Sequence, residues 1–232
     1  MNTDYRTEKA SRSGESWGPI AGIAFAVLFI AGIFTMITPD SSTEQAINEF
    51  YADSGNRTTV LIGAYLIALA GVAFLFFISA LRHWIREMAP DDGGLSDVLF
   101  GGGIVFVAMM YAGAVAIATG SAAMALGGEG QFSHEVLQML PQLGYGLTLL
   151  GGGFGAIAVV LATSLALRRS ENAPGWMSIY GFVTAAMLLA AVAYVPMVFF
   201  PVWVVVASIV LPRRLQPATE TTRTVSGVAT QV

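Results

Sequence analysis

The sequence predicts an all-α membrane protein, a six-helix transmembrane bundle with a short amphipathic helix in its first outer loop. Of the 232 residues, 55% are hydrophobic and only 11% are charged, whereas about a quarter of the residues in an ordinary soluble domain are charged. Apolar runs of about 20 residues, enough to cross roughly 30 Å of hydrocarbon, recur along the chain. The Lys and Arg residues lie between these runs in an alternating pattern.

The last apolar tract, from Trp176 to Leu211, is too long for one untilted span and fits two short ones. Within it, the stretch "AYVPMVFFP" favours a tight turn, because Pro196 and Pro201 each remove a backbone donor and restrict the preceding residue. In chain order, the predicted spans are residues 18–38, 59–81, 98–126, 141–167, 176–194 and 197–212.

The positions of the basic residues favour six spans over five. Lys and Arg residues close to spans stay on the cytoplasmic side. With six spans, all of the 11 Lys and Arg residues except Arg57 lie on one side. With five, the arginines after the last span would move to the opposite side. Both termini are therefore predicted to be cytoplasmic, with a tail at 1–16, a transmembrane domain at 17–212 and a disordered tail at 213–232.

The first outer loop, "PDSSTEQAINEFYADSGNRT", is predicted to contain the amphipathic helix. Ser41 and Glu44 have the spacing of a capping box, and Gly55 provides a stop signal. Ile47 and Tyr51 fall on one apolar face together with Ala46 and Phe50. The helix is either a connector that packs on the spans or a lid that binds a partner.

A glycine-rich stretch, "LLGGGFGAIAVVLA", has the spacing of a dinucleotide-binding turn at Gly151, Gly153 and Ala156, with Glu171 about 20 residues further on. A turn at this depth would leave unsatisfied backbone groups in lipid, so a continuous helix is the better prediction. Small residues then let helices approach closely. The predicted packing residues are Gly18, Gly22, Gly151, Gly152, Gly155 and Ala158.

No candidate catalytic residue, metal site or cofactor site emerges from the sequence, and the protein is predicted not to be an enzyme. The predicted spans hold no Asp, Glu, Lys, Arg or His between their interfacial ends, which argues against a proton relay or gating charges. There is no cysteine, and His83 and His134 are predicted on opposite sides of the bilayer. The basic residues are scattered, which disfavours nucleic acid as a partner.

Hydroxyl groups supply most of the polarity within the spans. They either line a pocket for an uncharged or amphiphilic ligand or bond to carbonyls one turn back and anchor tyrosines near an interface. The candidate pocket-lining residues are Tyr111, Tyr145, Thr148 and Tyr194. Near the cytoplasmic face, Arg82, His83 and Arg86 either recognise anionic lipid headgroups or act as positive-inside anchors.

The block "INEFYADSGNRTTVLIGAYLIALAGVAFLFFISALRHWI" resembles a family of six-span bacterial membrane proteins, common in actinobacteria and catalogued as a domain of unknown function. The resemblance spans roughly residues 15–212. The matching features are Phe50, Tyr51 and Asn56-Arg57 before the second span and Phe76, Leu81 and Arg82 at its cytoplasmic end. The resemblance implies the same topology in a bacterial plasma membrane and supplies no reaction or ligand.

The sequence is compatible with two functions. The first is a non-enzymatic binding or scaffold protein that engages lipid or another membrane protein. The second is a small permease or channel for an uncharged or amphiphilic solute. The absence of charged coupling residues favours the first.

The cysteine-free chain allows a direct test of topology. Single cysteines at Ser54, Ser170 and Thr219 are expected to react with a membrane-impermeant thiol reagent from outside, inside and inside, respectively. The measurement is labelling of intact cells against permeabilised cells, with the cysteine-free parent as blank. Labelling of the Thr219 position in intact cells would contradict an even number of spans.

Overall fold

The computed structural model of the protein describes residues 4–39, 43–88, 93–127, 132–170, 174–190 and 195–215. Every regular element within these ranges is helical. The elements are α1 (Asp4–Thr35), α2 (Glu44–Ala52), α3 (Ser54–Met88), α4 (Gly93–Ala125), α5 (His134–Gly146), a π-helical segment (Leu147–Gly152), α6 (Gly153–Arg169), α7 (Gly175–Leu189), a 3-10 helix (Val195–Val198) and α8 (Phe199–Leu215).

Among the described residues, four helical segments are long and apolar enough to cross a membrane, and two shorter helices are apolar as well. The four long segments are Trp17–Thr35, Ser54–Glu87, Gly93–Ala125 and His134–Arg169; the shorter ones are Gly175–Leu189 and Phe199–Arg213. α5, the π-helical segment and α6 follow one another without a gap and form the last of the long segments. This architecture fits an α-helical membrane bundle.

Several helix boundaries differ from those predicted. α1 is already helical at Asp4, inside the predicted tail, and the fourth long segment begins at His134 instead of Pro141. α7 ends at Leu189, and α8 continues to Leu215. Helix formation beyond the apolar runs explains the extensions of α1, α5 and α8, because hydropathy detects the part of a helix that suits lipid and not its capped ends. α7 instead ends before the stretch of the predicted turn, which contains the 3-10 helix. The predicted disordered tail lies outside the described residues after residue 215.

The predicted amphipathic helix is present as α2, with two corrections at its ends. Its N-cap is Thr43, whose Oγ1 accepts a hydrogen bond from the Ala46 amide at 3.4 Å; Ser41 lies outside the described residues. Gly55 does not stop the helix. α2 ends at Ala52, and Gly55 already belongs to the first turn of α3, where its amide donates to Asp53 Oδ1 at 2.6 Å.

Neighbouring helices in the bundle run antiparallel. Gly18 of α1 lies against Trp84, near the end of α3, whereas Gly63, near the start of α3, lies against Met36. α4 packs between α3 and the α5–α6 segment, α7 packs on α6, and α8 closes back on α1. We call the end of the bundle that carries α2 the α2 end, and the opposite end the arginine end, because Arg82 and Arg169 lie there.

A cluster of phenylalanine rings joins four helices at the centre of the bundle. Phe25 of α1, Phe74 of α3, Phe106 of α4 and Phe200 of α8 are all fully buried. The ring centroids are 4.7 Å apart for Phe25 and Phe74, 5.0 Å for Phe74 and Phe106, and 4.9 Å for Phe106 and Phe200. Tilted and edge-to-face pairs at such distances stabilise a core beyond the area they bury.

Glycines mark the closest helix crossings, as expected where small residues let backbones approach. A Cβ added at Gly155 would lie 2.6 Å from the backbone nitrogen of Phe106 and 2.7 Å from the carbonyl oxygen of Gly102. A second crossing brings Gly144 of α5 to Gly113 of α4, where an added Cβ would lie 2.6 Å from the Gly113 carbonyl oxygen. These contacts fix α4 against the α5–α6 segment.

The other predicted packing residues differ in how closely they approach the neighbouring helices. Gly18 and Gly22 face side chains of α3 and α8, and a Cβ at Gly151 would lie 2.7 Å from the flexible Met109 side chain. Ala158 lies against Gly102. Gly152 is buried, but an added Cβ would lie 3.7 Å from Phe106, an ordinary contact distance. The tight crossing therefore falls at Gly155 and not at Gly152.

Gly155→Leu is expected to disrupt the bundle, because rigid backbone atoms of α4 occupy the space that the side chain needs. Gly153→Ala is the matched control two residues away, where nothing lies within 4 Å of an added Cβ. The control is expected to be neutral or stabilising by up to about 1 kcal/mol, since alanine favours helix over glycine. The measurement is the yield of monodisperse protein and its unfolding midpoint in detergent. Equal behaviour of the two variants would refute the close crossing.

Candidate ligand-binding cavity

A cavity of about 310 Å³ lies between α1, α4, the π-helical segment and the start of α8, towards the α2 end of the bundle. Its volume is close to the lower end of the roughly 300–1,000 Å³ typical of ligand pockets. Its walls are mostly apolar. The lining residues include Phe29, Ile33, Phe34, Ile67, Met110, Ala114, Tyr145, Thr148, Val198 and Pro201.

Local sequence explains why space remains at this position. On α4 the wall includes Ala114, between Met110 and Ile117, and the alanine methyl group leaves room that a larger side chain would fill. On the opposite side the chain does not reach the cavity as a regular α-helix: a 3-10 helix over Val195–Val198 precedes α8, and Pro201 lies in the first turn of α8. Proline suits a first turn because the missing N–H is not needed there.

The π-helical segment supplies the third wall. It covers Leu147–Gly152 and interrupts the α-helical hydrogen-bond pattern without breaking the segment. It ends in Gly151 and Gly152, and glycine favours an α-helix by about 1 kcal/mol less than alanine does. Single π-helical turns inside α-helices are frequently found at functional sites. Thr148 and Leu149 of this segment face the cavity.

Hydroxyl groups are the polar side-chain groups at the cavity. The hydroxyls of Tyr145 and Thr38 are 3.2 Å apart and share a hydrogen bond. Thr148 Oγ1 donates to the carbonyl oxygen of Gly144 at 3.0 Å, which leaves its lone pairs able to accept. Among the described residues that line the cavity, none carries a charge at neutral pH. The site can therefore bind through apolar contact and a few neutral hydrogen bonds.

α2 is anchored beside this end of the cavity. Ile47 and Tyr51 of α2 are buried and pack with Leu137 of α5. Arg57 donates to the carbonyl oxygens of Tyr51 and Ala52 and so satisfies the C-terminal end of α2. Burial, with a smaller effect of Tyr145, raises the pKa of the Tyr51 phenol above its usual range. Tyr51 is therefore neutral, and no charge is introduced from α2 at this contact.

The structure brings together two of the four residues predicted to line a pocket. Tyr145 and Thr148 both line the cavity. Tyr111 does not: its hydroxyl donates to the carbonyl oxygen of Ala68 at 2.9 Å, and its ring lies over Gly71. Tyr194 lies outside the described residues. Sequence reasoning missed Thr38 and the apolar lining, because a tertiary void has no signature in a run of uniformly apolar residues.

Several hydroxyls elsewhere within the described helices bond to carbonyls one turn back, although the buried Ser121 Oγ has no partner and Ser178 of α7 donates to the carbonyl oxygen of Ser164 on α6. Thr163, Ser164, Thr184 and Ser208 each donate to the carbonyl oxygen four residues earlier. Such bonds satisfy the hydroxyl within its own helix and leave no demand for a ligand.

At the arginine end, the candidate headgroup residues form intramolecular contacts. Arg82 and Arg86 approach the same carboxylate oxygen of Asp97, at 2.6 Å and 3.3 Å. Arg86 Nε also donates to the buried Ser96 at 3.0 Å, and His83 pairs with Glu87 at 3.0 Å. The contacts with Asp97 and Ser96 join α3 to α4, whereas the His83–Glu87 pair lies within α3; together they partly neutralise the charge that an anionic headgroup would meet.

The glycine-rich stretch is helical throughout, as predicted. Gly152 and Gly153 have φ and ψ of the right-handed α region, at −64° and −43° and at −55° and −46°, respectively. No helix begins after a strand there, so the backbone amides that would hold a pyrophosphate are used within the helix. Glu171 lies outside the described residues. Over the part of the chain that the structure describes, no three His, Cys, Asp or Glu residues cluster.

The fold and the cavity define an α-helical membrane protein with a neutral, mostly apolar internal site. Comparison with family models, curated proteins and solved structures finds no match to this chain. The resemblance to a six-span bacterial family therefore stays an expectation, and the function must be argued from the site itself.

The hydrogen bond between Tyr145 and Thr38 is expected to couple α5 to the chain after α1. In a double-mutant cycle of Tyr145→Phe and Thr38→Val, the coupling energy should be about 0.6 kcal/mol, the average for hydrogen bonds between membrane helices. The measurement is the free energy of unfolding from denaturant titration of all four proteins in detergent. Strictly additive effects would contradict a direct bond.

Proposed function

We propose that this chain is a multi-pass plasma-membrane protein without enzymatic activity that binds a lipid or lipid-like ligand between its helices. The observation that carries the proposal is the cavity, whose apolar walls and neutral hydroxyls suit a ligand of the bilayer. Binding sites of this kind typically combine apolar walls with a few placed polar groups. The alternative non-catalytic function is recognition of another membrane protein. The size of the cavity favours a lipid-like ligand over a protein.

The proposed topology has six spans, with both termini in the cytoplasm. It is supported by the antiparallel order of the helices and by the clustering of basic residues at one end. α7, with 15 residues, is about 22 Å long, and α8, with 17 residues, is about 25 Å long. These lengths approach the ~30 Å of hydrocarbon, and short spans are accommodated by local thinning of the bilayer. In this topology the α2 end faces the outside.

The closed floor of the cavity favours binding over passage. Phe29 lines the cavity, and its ring lies 5.3 Å from Phe25 and 6.1 Å from Phe106, both members of the central cluster. A solute that crossed the protein would have to displace this cluster. A ligand that only enters and leaves from the α2 half needs no such rearrangement.

The side of the cavity that faces lipid supports the same proposal. Phe34 is 76% exposed and Val198 is 51% exposed, although both line the cavity. Large apolar side chains at such exposure suit contact with acyl chains in a bilayer. They support an entrance between α1 and the 3-10 helix that opens towards lipid instead of water.

The test compares ligand retention in two variants of α4. Ala114→Phe fills the cavity, whereas Ala112→Phe adds the same ring on the exposed side of the same helix. Protein purified in mild detergent is analysed by native mass spectrometry and by extraction of bound lipid. We expect a co-purifying amphiphile with the wild type and with Ala112→Phe, and loss of it by about tenfold with Ala114→Phe.

Two results would overturn this proposal. One is retention of the same amphiphile by Ala114→Phe, which would place the ligand elsewhere. The other is flux of an uncharged solute such as glycerol into liposomes that depends on Tyr145 and is blocked by Ala114→Phe, which would establish the permease alternative.

A further inference from the structure

We infer that the cavity selects a single-chain amphiphile with an uncharged, hydrogen-bonding head group, which enters sideways from the leaflet at the α2 end. This inference rests on the proposed ligand-binding function and names the class of ligand. It follows from three features of the cavity: where its polar groups lie, which charges surround it and how large it is.

The polarity of the cavity changes along the bundle axis. Tyr145 lines the cavity and bonds to Thr38, which follows α1 behind the lining, so the Tyr145 hydroxyl lies at the end of the cavity nearest α2. Thr148 lies almost one turn further along the helix, towards the middle of the bundle. Beyond it the wall consists of Phe29, Ile67 and Met110. A lipid in the same leaflet has the same polarity gradient, with its head outward and its chain inward.

Because the cavity and a lipid in the same leaflet have the same polarity gradient, lateral entry of the lipid costs little free energy. An amphiphile that slides between Phe34 and Val198 moves its head only from the interface to the Tyr145 hydroxyl in the same half of the bundle and keeps its chain in an apolar medium throughout. It does not have to flip or to carry its head group across the hydrocarbon, where a polar group without a partner is costly. The exposed apolar side chains at the entrance replace lipid contacts as the ligand enters.

The charges around the cavity discriminate between head groups. The lining has no cation to pair with a phosphate or carboxylate and no anion to pair with an amine. A charged head would lose its hydration without compensation. The adjacent α2 carries Glu44 and Glu49, both exposed, and the carboxylate of Asp53 lies just beyond it. Arg57, which donates to the end of α2, offsets one of these three negative charges, and the remaining negative potential opposes an anionic head further. Hydroxyl, ester or amide heads can instead hydrogen-bond to Tyr145 and Thr148.

The volume limits the number of chains. At about 310 Å³, the cavity is near the lower end of the range for ligand pockets. It accommodates one alkyl chain with a small head more readily than the paired chains of a phospholipid. The floor at Phe29 limits how deep that chain can reach.

The experiment uses the full-length protein in phosphatidylcholine nanodiscs with three photoactivatable probes. All three carry the same diazirine-labelled dodecyl chain, and their head groups are hydroxyl, phosphate and trimethylammonium. Cross-linked peptides are quantified by mass spectrometry. We expect the hydroxyl probe to label peptides containing Ile33, Phe34 and Val198 about tenfold more than either charged probe.

Variants locate the labelling. Ala114→Phe fills the cavity, and Ile33→Trp narrows its half-exposed entrance without altering the buried core; both should lower labelling by the hydroxyl probe about tenfold. Ala112→Phe, on the exposed side of α4, should leave it unchanged. The entrance variant keeps the inference testable if the cavity-filling variant does not fold.

The outcomes separate this inference from the function on which it rests. Equal labelling of the cavity peptides by all three probes, still lost with Ile33→Trp, would overturn head-group selection and leave ligand binding standing. Absence of labelling at these peptides, or labelling that neither variant lowers, would overturn both. Preference for the hydroxyl probe at these peptides, abolished by either variant, would support both.

Discussion

The requirement that every backbone hydrogen bond be satisfied inside the chain governs this structure. In hydrocarbon no water replaces a missing partner, so a membrane-spanning segment stays helical even where its side chains favour a turn. The segment His134–Arg169 shows the consequence. It contains Pro141 and a glycine triplet, and it remains helical from end to end because the irregularity is absorbed as a π-helical segment. A motif that suggests a nucleotide turn in a soluble protein becomes a packing surface here.

Close helix packing follows from the same environment. Burial of apolar surface does little to drive helices together in lipid, so contact must come from close approach of backbones. Gly102 with Gly155 and Gly113 with Gly144 provide that approach between α4 and the α5–α6 segment. On the other side of α4, phenylalanine rings fill the interior instead. The cavity lies between the Gly113–Gly144 crossing and the phenylalanine cluster, beside Ala114 and the non-α-helical chain before α8.

The sequence predicts the helices well and the site only in part. Apolar runs and proline positions locate the four long segments and the break before α8, because these depend on local composition. The cap at Thr43 replaces the predicted Ser41, since several adjacent hydroxyl residues offer the same bond. Tyr111 and Tyr145 are alike in sequence terms, yet one bonds to Ala68 and the other lines the cavity. Only the packing of α3 against α4 distinguishes them, and no local pattern encodes it.

The arrangement of polar groups connects the fold to the proposed function. Charged side chains are confined to the ends of the bundle, where Asp97 holds two arginines and Arg57 caps α2. The buried polar groups that the structure describes between these ends are neutral; they include serine and threonine hydroxyls, several bonded to their own helices, and the indole N–H of Trp203, which has no partner. At the cavity, Tyr145 and Thr38 bond between two segments instead. This polar contact joins α5 to the chain after α1 at the edge of an apolar space, and it supports the proposal of a lipid-like ligand because the two hydroxyls bond to each other when the space is empty.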